Sequence, residues 1–289
     1  MTDAELPAWS EPFADSDPLR LYRPTRMPGI TRRWAWGGST GKGVRVGIID
    51  SGLETDHPAL RGRVVQSVAF EMVEGEPKLI ENDTVGDLFG HGTACGDIIL
   101  RLAPDVELVS IRVLGQDLRG KGSAFIAGLE WAIEQRLPVC NLSLSSKSDA
   151  LFPIFHEVAD AAYFHRICLV SAANNVPAPS YPSLFSSVIS VAAHATPDPE
   201  RIYYNPEPPV EFGAWGVDVP MAWKGGGSIT ATGNSFAAPH VAGLVARIVA
   251  KHPGISPFEV KAVLAGVADN PRRRTSRARR SVATEAAAG

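Results

Sequence analysis

Short β-branched runs that alternate with helical stretches set the main constraint on this fold. The runs are "GVRVGIID" (43–50), "VELVSIRVL" (106–114), "PVCNLSL" (138–144), "ICLVSAA" (167–173) and "SVISVAA" (187–193). Between them lie "GTACGDIILRLA" (92–103), "SAFIAGLEWAIEQR" (123–136) and "IFHEVADAAYFH" (154–165), spaced as helices. Each run is short, apolar and rich in β-branched residues, as in a strand buried on both faces. Strands that alternate with helices argue for a mostly parallel sheet covered on both sides. A chain of 289 residues makes one large domain or two small ones, with a core that needs no disulfide staples.

Two flanks depart from this pattern. Residues 1–36 are rich in Pro, Asp and Arg, and read as an N-terminal arm. Residues 269–289 carry Arg272, Arg273, Arg274, Arg277, Arg279 and Arg280, a like-charge run that reads as a solvated, disordered tail. The rest is acidic, since the net charge is −3 with those arginines included. No nucleic-acid partner is expected. The N-terminus lacks the basic and apolar segments of a secretory signal, and no apolar stretch has the ~18 residues of a membrane span. A cytoplasmic protein without a membrane partner is the expectation. Residues 201–232 are Pro- and Gly-rich and read as irregular. Beyond them, "SFAAPHVAGLVARIVAKH" (235–252) and "SPFEVKAVLAGVA" (256–268) read as helices, the second with Ser256 as N-cap and Pro257 at N1.

"GGSTGKG" (37–43) imitates a phosphate loop, but Trp36 stands at the first Gly position, Gly43 follows Lys42, and a strand follows instead of a helix. It is a strand-entry turn. Cys140 and Cys168 lie within apolar runs and read as buried strand residues.

The chemistry concentrates at the ends of elements. "IIDSGLETDHP" ends a buried strand on Asp50, "GHGTACG" opens a helix at His91, and "GNSFAAPH" opens another at Ser235. Taken singly, these are a turn aspartate, a hydrogen-bonded histidine and a helix N-cap. The carboxyl ends of parallel strands and the helix starts beside them share one face of the sheet. A carboxylate, an imidazole and a hydroxyl can converge there, as acyl transfer requires.

With these motifs, and "RVLGQDLRGKGSAFIAGLEWAIEQRLPVCNLSLS", "SAANN" and "GNSFAAPHVAGLVA", the chain resembles the subtilisin-like serine proteases (subtilases, peptidase S8) over residues 37–268. Cys95, one helical turn after His91, matches their thiol-containing members, in a buried packing role. The resemblance implies a single α/β domain, a three-layer sandwich around a mostly parallel sheet of about seven strands. It implies a serine endopeptidase acting on peptides or proteins through an acyl-enzyme, with Ser235 as nucleophile, His91 as base and Asp50 as its orienter. Asn175 aligns with the oxyanion-hole amide, and Asn174 replaces the usual Gly. Asn234 replaces the usual Thr, and its N–H makes it a second oxyanion donor. Ser143, Leu144 and Ser145 align with the segment that pairs with substrate backbone, and Ser180 with the wall of a neutral, apolar specificity pocket. No cofactor or metal is expected, because the calcium loop after the histidine helix has no room here and Ala59 takes the place of a ligating Asp. The arm 1–36, through "LRLYRPTRMP" (19–28), either covers the cleft as an inhibitor or packs on the surface. The rival function is a catalytically weak, peptide-binding member of the same fold.

Overall fold

The computed structural model describes residues 6–8, 10, 29–81, 85–207 and 209–270. Its centre is a 9-stranded sheet. In chain order the strands are β1 (Arg45–Asp50), β2 (Val64–Val73), β3 (Glu76–Ile80), β4 (Glu107–Arg112), β5 (Val139–Leu142), β6 (Cys168–Ala172), β7 (Ile189–His194), β8 (Tyr203–Tyr204) and β9 (Phe212–Trp215). Across the sheet they run β3-β2-β4-β1-β5-β6-β7-β9-β8. Every pair is parallel except β2–β3 and β8–β9 at the two edges. The two antiparallel edge strands thus flank a parallel core of the expected extent. The middle strands are apolar because both faces are covered: Ile49 of β1 lies between Ile111 of β4 and Leu142 of β5, and all three are fully buried.

Helices form the outer layers. On one face are α1 (Arg32–Ala35), α2 (His91–Leu102), α5 (Asn234–Lys251) and α6 (Pro257–Val267); on the other are α3 (Gly122–Glu134) and α4 (Phe152–Phe164). This is the three-layer α/β sandwich. Helix α5 is apolar nearly all round and correspondingly buried, from Phe236 through Ala246 and again at Ile248. A side chain at Gly243 would stand 2.9 Å from Leu102 Cβ, so α5 and α2 meet at closest range there. Ser256 and Glu259 form a reciprocal capping box at the start of α6, with Pro257 in the first turn.

The Pro- and Gly-rich stretch 201–232 is not irregular. It holds β8, β9 and a hairpin of β10 (Val219–Trp223) and β11 (Gly227–Ala231). Gly225 and Gly226 turn the hairpin at φ of +84° and +74°, a region open to glycine at little cost. The end of the arm is packed, with Trp36 at 1% exposure. Asp269 and Asn270, assigned to the tail from sequence, hydrogen bond to Ile202 and Tyr204. Residues 19–28 and the arginine run 272–280 lie outside the described residues.

Candidate functional site

The connections from β1 lead first to β2 and β4 on one side, and later to β5 and β6 on the other. Such a reversal opens a crevice at the carboxyl ends of the strands. Asp50, the last residue of β1, stands in it with no exposed surface. Its carboxylate accepts the Ser51 N–H at 2.7 Å, and both oxygens lie 2.9 Å from His91 Nδ1. This approach needs glycine on helix α2. A Cβ at Gly92 would lie 2.0 Å from the Gly52 carbonyl oxygen.

His91 is the first residue of α2, preceded by Gly90 at φ +121°. Burial disfavours its charged form, but the Asp50 carboxylate beside it outweighs that and holds its pKa well above 6.5. Asp87, which the sequence reading did not single out, organises the turn before it. One carboxylate oxygen accepts Ser51 Oγ (2.8 Å), Phe89 N (3.0 Å) and Gly90 N (2.7 Å); the other accepts Thr93 N (2.9 Å) and Thr93 Oγ1 (2.6 Å). Ser51 Oγ in turn accepts Gly92 N at 3.1 Å. An aspartate three residues before the N-cap Gly90, in the run Asp-Leu-Phe-Gly-His-Gly-Thr, carries a capping signal that points to it.

Ser235 lies in the first turn of α5, where backbone N–H groups have no partner within the helix. Pro239, four residues on, has no N–H to bond the Ser235 carbonyl. Other donors take that carbonyl: Ser143 Oγ at 2.8 Å and Cys95 Sγ at 3.8 Å. Cys95 Sγ also lies 4.0 Å from Asp50 Oδ2. Among the described residues, no hydrogen bond joins Ser235 Oγ to His91. The buried polar cluster is Asp50, His91 and Cys95, with ligand atoms all within 4.8 Å of one another. These are also the described residues whose grouping could hold a metal ion.

The expectation of a serine endopeptidase with an Asp–His–Ser relay is corrected by this arrangement. The third member of the buried cluster is the Cys95 thiol, not a serine. Burial pushes that thiol up, which leaves it protonated and a poor nucleophile. Cys140 and Cys168 lie buried in their strands, each pushed up to about 12 by burial.

The asparagines take different places. Asn175 lines the cleft and is exposed. Its Oδ1 accepts the Asn234 N–H at 2.9 Å, and its Nδ2 has no acceptor among the described residues. Asn234 has no exposed surface. Its Nδ2 donates to the carbonyls of Ala8 (2.9 Å), Asn174 (3.1 Å) and Ala173 (3.3 Å), and its Oδ1 accepts Ala193 N at 2.9 Å. An amide engaged with those carbonyls is not presented to the cleft, contrary to the expectation of a second oxyanion donor.

The cleft encloses about 670 Å³. It brings together His91, Ser143, Leu144, Ser145, Asn175 and Ser235, with Phe125, Trp223 and Phe236 as aromatic walls and no acidic residue. Leu144 and Ser145 have no main-chain hydrogen bonds among the described residues, so this edge is open to an extended chain. The Ser143 hydroxyl is turned to the Ser235 carbonyl. Ser180 is buried against Ser183 and does not line the cleft.

Comparison with known proteins agrees with this architecture. The Subtilase family profile (Peptidase S8) matches residues 41–283. The chain is 31% identical over 230 residues to the "Intracellular serine protease" of Paenibacillus polymyxa, covering 74% of this chain and 68% of that one. It is 33% identical over 248 residues to "Subtilisin DY" of Bacillus licheniformis, covering 81% and 86%. Among solved structures, the "S41 Psychrophilic Protease" superposes with a TM-score of 0.67 at 26% identity, covering 84% of this chain and 90% of that one. A cold-adapted subtilisin-like serine proteinase gives 0.64 at 26% identity, covering 81% and 87%.

Proposed function

Because this chain belongs to the subtilase family, we propose that its cleft binds an extended, mainly apolar peptide and is catalytically weak. Membership makes it a protease-class hydrolase by descent, of the peptidase S8 type. The weak turnover is inferred from one observation: the Asp50–His91 pair closes on the Cys95 thiol, while Ser235 Oγ has no bond to the imidazole.

Peptide binding follows from the same residues. The open edge at Leu144 and Ser145 adds the peptide as a further strand. The Asn175 Nδ2 and the first-turn N–H of Ser235 meet a peptide carbonyl oxygen. His91 and Ser235 form the polar floor, with Asp50 buried behind the imidazole. Ser143 lines the cleft with its hydroxyl turned to the Ser235 carbonyl, and Ser180 lies outside the lining. The aromatic and aliphatic part of the lining favours apolar side chains, while Arg119 and Lys121 add positive charge to the same cleft. A cytoplasmic setting is supported by the name of the Paenibacillus relative, and no described helix is long and apolar enough to cross a membrane.

A fluorescent apolar tetrapeptide amide and a fluorophosphonate probe test this reading together. The expected result is saturable peptide binding, slow cleavage and faint probe labelling. Rapid multiple-turnover cleavage and full labelling, both abolished by Ser235→Ala, would overturn it.

A further inference from the structure

We infer that the segment carrying Ala8 and Ser10 is a positioning strap for the asparagine pair behind the cleft. This rests on the peptide-binding reading of that cleft. The strap reaches both asparagines. Ala8 N donates to the Asn175 carbonyl at 3.1 Å, and the Ala8 carbonyl accepts Asn234 Nδ2 at 2.9 Å. Ser10 has no exposed surface, and its Oγ donates to Asn234 Oδ1 at 3.3 Å. Ser10 N closes a turn onto the Pro7 carbonyl at 3.1 Å, and Leu6 packs on the core cluster beneath α5.

These contacts account for an asparagine at position 234. An amide offers two N–H donors and an acceptor with two lone pairs, whereas a threonine hydroxyl offers a single donor. Asn234 donates to the strap and to the end of β6, and accepts from the strap and from β7. Its own N–H then donates to Asn175 Oδ1 at 2.9 Å. Asn175 is therefore fixed twice: its main chain by Ala8, and its side chain through Asn234. With Oδ1 engaged, Nδ2 is the end of the amide left to meet a peptide carbonyl. The described strap residues do not line the cleft. The strap braces the wall from behind, so its loss weakens ligand binding; a segment lying in the cleft has the opposite effect.

The test compares the full chain with a variant lacking residues 1–10, using fluorescein-labelled Ala-Ala-Val-Phe amide. The deletion is expected to weaken binding about three- to tenfold, the worth of a single net hydrogen bond. The synthetic peptide MTDAELPAWS, added in trans, is expected to restore binding saturably. Unchanged or tighter binding by the folded deletion variant overturns the inference. If the deletion variant does not fold, Ser10→Ala in the full chain takes its place, with weakening expected and unchanged affinity overturning. Should the intact protein fail to bind the tetrapeptide, the peptide reading fails separately. The strap is then read from the side-chain amide NMR signals of Asn175. These must move on Ser10→Ala; fixed signals overturn the strap.

Discussion

Both carboxylate oxygens of Asp50 lie 2.9 Å from Nδ1 of His91, so the carboxylate straddles the ring nitrogen. This geometry favours a charged imidazole despite its burial. The His91 signal in an NMR titration should have its midpoint above 6.5. Asp50→Asn keeps the shape, removes the charge and leaves burial to dominate, so the midpoint should drop. An unmoved midpoint would show that the pair does not set the protonation state.

His240 sits at the other extreme. It is buried in α5, and burial depresses its pKa to about 4, with the Phe236 carbonyl only partly opposing the shift. Between pH 4 and 6.5 the unfolded chain holds a proton at this position that the folded one does not. Stability therefore rises with pH across that window, by about 3 kcal/mol from this residue. His91 has the opposite sign. Its contribution is complete below pH 6.5 and is lost as pH rises through its raised folded value. Urea unfolding is expected to place maximum stability close to pH 6.5. His240→Leu should flatten the acid limb alone.

Asp87 accepts five hydrogen bonds, from Ser51 Oγ, from the turn ahead of His91 and from Thr93. Asp87→Ala leaves several of those donors buried without an acceptor. A destabilisation of about 3 kcal/mol or more is expected from chemical denaturation. A loss under about 1 kcal/mol would mean that water replaces the carboxylate at no great cost.

Gly92→Ala tests the spacing between β1 and α2. Its Cβ would meet the Gly52 carbonyl oxygen at 2.0 Å and Asp50 Cβ at 3.4 Å. The expected loss is about 3 kcal/mol, from overpacking against main chain that has nowhere to move. A melting temperature equal to that of the parent would contradict it.

The runs 43–50 and 138–144 were legible as central strands because burial on both faces keeps them mostly apolar, with Asp50, Asn141 and Ser143 as buried polar exceptions. Edge strand β3 and its neighbour β2 carry Lys78, Glu71 and other exposed residues, which dilute that signal. The hairpin β10–β11 was hidden by its glycines, read as irregular although they mark its turn. At the site, Asp50, His91 and Ser235 were visible because each ends or opens an element. Which group lies against the imidazole is a matter of distances between α2 and α5, and a motif carries no distances. Asn234 was misread for a related reason: its partners, Ala8 and Ser10, are 226 and 224 residues away in the chain.

Helix α2 does two jobs at once. Its first residue is His91, and two residues past Cys95 the buried Asp97 accepts the main-chain N–H of Ala222 at 2.8 Å, in the hairpin whose Trp223 and Ile229 wall the cleft. Asp97 is itself clamped by Arg101, whose other nitrogen reaches the Pro220 carbonyl at 2.6 Å. The helix is therefore a rigid lever with the imidazole at one end and a cleft wall hung from its middle. Any tilt moves both, so the width of the groove and the seat of the imidazole are mechanically geared. Variation in this chain cannot easily retune ligand preference while leaving the chemistry of the floor as it was.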